Sequence, residues 1–274
     1  MKLQQSAVHA IAAHSTRRAN LYFACLLSAI FLFHGTTLRQ GHVWGDDFAM
    51  YIHHAKNIVE HRPYAETGYI YNSAVPVYGP RAYPPVFPVL LSPLYRLYGL
   101  NLVPMKFEQI VFLSGTLTIV YLLWRRSLGS SYALALTAIL GFSPAFWIAK
   151  DEVLSDIPFL FLFYLTAALV QISQTPGRRW WVWGVAIGIS LYAAIGTRSA
   201  GIALAAGLPL YDLLRDRKIT RTTGLALTTM VALLALQSRF VGPIPGSYVE
   251  QIHQITWRTP LQNAVAYARV LMGF

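Results

Sequence analysis

Apolar residues fall into seven blocks along this chain, near positions 20–38, 105–124, 131–149, 157–173, 180–196, 199–214 and 222–240, with short polar or basic joints between them. A helix rises 1.5 Å per residue, so about 20 apolar residues cover the hydrocarbon core of a bilayer, and fewer suffice where the ends reach the interface. The pattern predicts an all-α integral membrane protein, a polytopic bundle of about seven transmembrane helices. An eighth apolar piece, 86–100, is short and carries Pro88, Pro93 and Arg96. It reads as a juxtamembrane helix, where Pro and Tyr are comfortable at an interface.

A different pattern runs from Phe48. Phe48, Tyr51, Ile52, Ala55, Ile58 and Val59 repeat at helical spacing, with His54, Lys56, Asn57 and Glu60 or His61 on the other side. This is an amphipathic helix lying in the membrane interface, its histidines turned toward the polar side. Its start is Gly45-Asp46-Asp47, two of only eleven carboxylates in the chain.

Composition supports the membrane assignment: 55% of residues are hydrophobic and 12% charged, with a mean hydropathy of +0.45, against about a quarter charged in soluble domains. The net charge of +11 would suggest nucleic acid in a soluble protein, but in a membrane protein Lys and Arg collect in cytoplasmic loops, so no nucleic-acid partner is expected. The one cysteine, Cys25, lies inside the first apolar block and supports neither a disulfide nor a thiolate metal cluster.

Charge also decides sidedness. With seven spans, Arg17-Arg18, Arg125-Arg126, Arg178-Arg179 and the group Arg215, Arg217, Lys218 and Arg221 all fall on the cytoplasmic side. Counting 86–100 as a span would break that agreement. The expected organisation is a cytoplasmic tail 1–19, a transmembrane domain 20–240 with its first outer loop at 39–104, and an extracytoplasmic segment 241–274. The first block is longer than a signal-peptide core and lacks a small-residue cleavage site, so it reads as a retained anchor. The outer face then holds the acidic pair, the turn from Lys150 to Asp156, and Arg198.

The order of these features resembles the membrane glycosyltransferases of the GT-C fold that use polyprenyl-phosphate sugars, the clan of protein O-mannosyltransferases and lipid A aminoarabinose transferases. The residues that carry the likeness are the Gly45-Asp46-Asp47 start of an amphipathic helix, the run from Tyr83-Pro84-Pro85 to Gly99, and Leu154-Ser155-Asp156-Ile157-Pro158 at the next outer loop. It covers about 20–240, the N-terminal half of a usual family member. It implies a donor held as a polyprenyl-phosphate sugar, a lipid, glycan or protein acceptor, and a multi-pass location in the inner membrane with the N-terminus cytoplasmic.

Transfer of this kind needs a base for the acceptor hydroxyl and cations for the leaving phosphate. Asp46 or Asp47 is the candidate base, and single displacement at the anomeric carbon inverts it. Candidate substrate-binding residues are Asp156, Arg198, Arg81, Lys106 and Tyr83, with Arg96 and Lys150 as further cations on the same face. Arg198 stands out because it defies the positive-inside bias, and guanidinium suits phosphate. Other uses remain open: Asp is a good N-cap, and Arg198 has Asp151, Glu152 and Asp156 as possible ion-pair partners. No cofactor is expected; adjacent carboxylates alone are weak evidence for a divalent metal. The competing functions are a small transporter or permease subunit, which calls for polar residues at mid-depth, and a non-catalytic or truncated membrane assembly partner.

Overall fold

The computed structural model describes residues 2–42, 47–70, 80, 82–241, 264–266 and 269, with backbone alone for 2–16 and Phe240. The described chain is helical: α1 (Lys2–Thr36), α2 (Phe48–Val59), α3 (Val86–Tyr98), α4 (Leu102–Leu128), α5 (Ser130–Gly141), α6 (Pro144–Ala149), α7 (Asp156–Ser173), α8 (Trp180–Thr197), α9 (Ile202–Asp216) and α10 (Arg221–Val241). Four helical stretches are long and apolar enough to cross a membrane: Arg17–Thr36 of α1, and α4, α7 and α8.

The block at 131–149 is not one continuous helix, as its hydropathy alone had indicated. It divides into α5 and α6 at Phe142-Ser143-Pro144. Pro144 has no N–H to continue the ladder but is well suited to a first helical position, and the Ser143 side chain accepts from the Phe146 N–H. The break leaves the Gly141 carbonyl to accept from His34 Nε2 at 2.7 Å, which ties α1 to the end of α5. A Cβ on Gly141 would lie 2.3 Å from Ile30 Cδ1, so glycine is what lets α1 approach.

Three apolar cores hold the bundle. Ile30, Leu113, Leu117 and Ile157 join α1, α4 and α7. Ile187, Leu191, Ala205, Leu208, Ala226 and Met230 join α8, α9 and α10. In the second core Gly184 and Gly188 form a small-xxx-small seam: a Cβ on Gly188 would stand 2.5 Å from the Ala226 carbonyl oxygen. Backbones that close gain packing contacts where lipid supplies no hydrophobic drive.

The remaining core gathers the segments between α1 and α4. Tyr51, Ile52 and Ala55 of α2 pack on Phe87 and Leu91 of α3, with Tyr83, Met105 and Val153 closing the sides. This α2–α3 layer matches the amphipathic and juxtamembrane helices read from the sequence. One part of that reading is corrected. His54 and Asn57, placed on the polar face, are completely buried. The cause is the loop after α2: the Asn57 amide donates to the carbonyls of Pro63, Tyr64 and Glu66, so that face is covered by the chain's own backbone.

Candidate functional site

The C-terminal end of α1, the N-terminal end of α4 and the turn before α7 meet around one buried carboxylate. Asp151, 4% exposed, accepts from the Arg39 backbone N–H and Arg39 Nε, each at 2.8 Å, and from Lys150 Nζ at 2.7 Å. Lys150, fully buried, also donates to the Thr37 carbonyl at 2.9 Å. Both cations lie over the Trp147 ring, Arg39 at 5.2 Å and Lys150 at 5.4 Å from its centroid. Burial alone would push the Asp151 carboxyl upward, but the three donors outweigh it and hold it below the usual range. Lys106 Nζ, also buried, donates to the carbonyls of Arg39 and Gly41. His42 Nε2 accepts from the Val153 N–H at 3.0 Å, and the His42 ring stacks on Phe48.

Together these contacts fix segment 37–42, which precedes the acidic pair in the sequence. The N–H groups of Thr37 and Leu38 still bond back to α1 at Phe33 and Gly35, whereas the Arg39 N–H and the carbonyls of 37, 39 and 41 are satisfied by Asp151, Lys150 and Lys106. A second set of bonds fixes α2. Tyr51 Oη and Ser155 Oγ are 3.0 Å apart. His54 Nδ1 donates to the Tyr64 carbonyl at 2.8 Å, and His54 Nε2 accepts from the Tyr83 N–H at 3.2 Å. Tyr64 Oη donates to the Tyr83 carbonyl at 2.8 Å. Burial brings the His54 pKa down to about 4 and pushes the Tyr64 hydroxyl well up, so the imidazole stays neutral and the phenol stays a donor.

Asp47 stands at the head of α2 with an exposed side chain. Its carbonyl accepts from Met50 and Tyr51, but its carboxylate makes no capping hydrogen bond. The helix start therefore engages the backbone of Asp47 and leaves the carboxylate facing solvent. Asp46 and Arg81 lie outside the described residues. Tyr83 is buried in the α2–α3 core, with its ring against Tyr51 and its backbone in the His54–Tyr64 network.

Asp156 and Arg198 come together: Arg198 Nη1 lies 2.5 Å from Asp156 Oδ2, both side chains about half exposed. Of the partners open to Arg198, Asp156 is the one used. The pair joins the start of α7 to the end of α8, where Arg198 leaves helical geometry at φ −149°, ψ 129°. No ion pair or hydrogen bond links it to Asp47 among the described residues. No group of three metal-ligating side chains occurs there either.

Sequence reasoning did not find Arg39, Asp151 and His54 as organisers of this region. The available signal was Arg39 itself, a cation just past an apolar block with no acid within a helical turn.

A family profile described as dolichyl-phosphate-mannose-protein mannosyltransferase matches residues 22–240, and the chain belongs to that family. Among solved structures it is similar to ArnT from Cupriavidus metallidurans bound to undecaprenyl phosphate, with a TM-score of 0.57 and 21% sequence identity over 82% of this chain. That likeness is one of fold, and the chain spans 42% of the ArnT chain. No curated protein matches significantly.

Proposed function

We propose that this member of the family transfers a sugar from a polyprenyl-phosphate donor to an acceptor hydroxyl on a lipid, glycan or protein, at the extracytoplasmic face of the inner membrane, with inversion. In this reading α1, α4, the α5–α6 pair, α7, α8, α9 and α10 make seven crossings from a cytoplasmic N-terminus, and 241–274 is extracytoplasmic. The sidedness itself rests on the basic joints; that these residues share one face is supported by contacts, since segment 37–42, Lys106, the α6–α7 turn and the Asp156–Arg198 pair are linked through α2, α3 and the ends of α7 and α8. At the opposite end Arg125 Nη1 donates to Asn20 Oδ1 at 3.0 Å, among the basic joints.

The observation that carries the proposal is Asp47, an exposed carboxylate with no capping bond at the head of a helix whose body is tied to Ser155 through Tyr51. Asp47 or Asp46 takes the proton of the acceptor hydroxyl. The hydroxyl oxygen bonds to the anomeric carbon as the bond from that carbon to the phosphate oxygen breaks, and the polyprenyl phosphate leaves with the electron pair. Arg198 spends one of its five N–H donors on Asp156, which holds the guanidinium plane for the phosphate. Arg81 is the further cation this reading assigns to the phosphate. Lys106 serves by holding the carbonyls of 39 and 41 rather than by meeting the phosphate itself.

Membranes carrying wild type, Asp46→Asn, Asp47→Asn or Arg198→Ala, assayed with labelled polyprenyl-phosphate sugars, test this. Loss of the base should cost about 10²–10⁴-fold in rate, and undiminished transfer in all three variants removes the proposed site.

A further inference from the structure

Two helices begin with residues suited to capping that do not cap. Asp47 at the head of α2 and Ser155 at the head of α7 both hold helical backbone angles, φ −67°, ψ −7° and φ −75°, ψ −4°, where a capping residue is extended, and neither side chain bonds its own helix. The Asp47 side chain is exposed. The Ser155 hydroxyl, in a fully buried residue, turns instead to another helix and stands 3.0 Å from Tyr51 Oη.

Tyr51 is built to hold that hydroxyl still. It is 4% exposed, with its ring centroid 4.7 Å from that of Tyr83 and 5.0 Å from that of Phe87. The surrounding contacts of α2 are apolar, Ile52 and Ala55 packing with Phe87, Leu91, Met105 and Val153. The bonds of His54 and Asn57 run to segment 63–66 and to Tyr83, and so stay within the α2–α3 layer. His42, which accepts from the Val153 N–H, meets Phe48 through a stacked ring face. Apolar and stacked contacts are weakly directional and tolerate a small slide of one element on another. A hydrogen bond between two buried hydroxyls weakens steeply off its geometry, so the Tyr51 to Ser155 bond fixes the register of α2 on the head of α7.

The bond has candidate site residues at both ends. Tyr51 lies one helical turn after Asp47, about 6 Å along the axis, and its N–H bonds the Asp47 carbonyl at 3.2 Å. Ser155 directly precedes Asp156, which holds Arg198. We propose that Tyr51 is a positioning residue for transfer: its hydroxyl, through Ser155, sets how far the Asp47 carboxylate stands from the Asp156–Arg198 pair. The inference rests on the reading of Asp47 as base and Arg198 as phosphate ligand. In that reading proton removal and phosphate departure belong to one displacement, so the carboxylate and the guanidinium must meet the same substrate together, and a misplacement of about 1 Å costs on the order of 10²-fold.

The test is a cycle of Tyr51→Phe, Ser155→Ala and the double variant, assayed in membranes with a panel of labelled undecaprenyl-phosphate sugars, with thermal unfolding to express transfer per folded molecule. Each single variant should lower kcat about 10- to 100-fold and leave the KM for the donor as in wild type, because Asp156 still holds Arg198. The double variant should be no slower than the worse single one, since both remove the same bond. Wild-type kcat in either single variant, a raised KM, or losses that multiply overturn the inference and give the two hydroxyls a purely structural role. Pulsed electron-spin distances supply a readout without turnover. Labels at Ala49→Cys and Ala200→Cys, two exposed positions beside Asp47 and Arg198, in a Cys25→Ser background, should give a narrow distribution that broadens or shifts with Tyr51→Phe. Unchanged distances overturn the inference and leave the transfer reading standing. No transfer by wild type from any donor in the panel overturns that reading, and the inference with it.

Discussion

His54 couples the stability of the α2–α3 layer to pH in a window of its own. The imidazole is buried against Tyr64, with ring centroids 4.2 Å apart, and bridges the Tyr64 carbonyl and the Tyr83 N–H. Its pKa falls from 6.5 to about 4, chiefly by burial. The folded state therefore binds the proton less readily than the unfolded one, and stability falls as pH drops from about 6.5 toward 4. The shift of about 2.5 units at 1.36 kcal/mol each amounts to about 3 kcal/mol across that window. At about 2–4 °C per kcal/mol the apparent Tm of wild type should be about 6–12 °C lower at pH 4 than at pH 7 from this residue alone. His54→Gln keeps one donor and one acceptor for the same two backbone groups but cannot titrate. It should lose about 1 kcal/mol at pH 7 through imperfect hydrogen bonds, and its Tm should vary less with pH. The assay is thermal unfolding of both proteins in one detergent from pH 4 to 7.5. Other titrating groups are common to both, and the Asp151 contribution, whose folded pKa is lowered, is lost only below that range as pH falls. Parallel Tm curves for the two proteins would refute the neutral, buried imidazole.

Further outcomes follow from the same geometry. Asp151→Ala leaves the buried Lys150 ammonium with the Thr37 carbonyl as its one described hydrogen-bond partner, so about 3–5 kcal/mol should be lost, seen as faster proteolysis between 37 and 47. Gly188→Ala places a methyl 2.5 Å from the Ala226 carbonyl oxygen and 2.6 Å from Thr229 Cβ; separation of α8 from α10 should cost about 1–3 kcal/mol in detergent unfolding. Lys106→Met keeps the packing but frees the carbonyls of 39 and 41, and transfer should fall through kcat with little change in KM for the donor. Exchanging the charges as Asp156→Arg with Arg198→Asp should retain the α7–α8 link measured by thermal unfolding, yet lose transfer, because the guanidinium has moved. Recovery of full transfer by the exchanged pair would leave Arg198 a purely structural role.

Much of the membrane architecture is written locally. The apolar blocks, the basic joints and the amphipathic repeat from Phe48 each act within a few turns of helix, so hydrophobic periodicity and charge bias placed the apolar part of α1 and α2, α3, α4, α7, α8 and α10 close to where the structure has them, while α1 itself reaches back to Lys2 through the expected tail. The start of α2 at Asp47 and the family resemblance came from the same short stretches. Long-range pairing was beyond that reading. Arg39 and Asp151 are 112 positions apart, Lys106 reaches back 65 positions to Gly41, and His54 meets Tyr83 across 29. Nothing in the residues around His54 distinguishes a solvated histidine from one enclosed by a returning loop; burial is decided by what the rest of the chain lays over it. Likewise the break in 131–149 is local, at Ser143-Pro144, but that it gives the Gly141 carbonyl to His34 is a contact made by another helix. The chain's local chemistry determined which segments enter the bilayer and where carboxylates gather. Only tertiary packing decided that the Asp47 carboxylate is left without a capping bond while Asp151 is enclosed by cations, because desolvation and hydrogen-bond supply belong to the assembled neighbourhood and not to the residue.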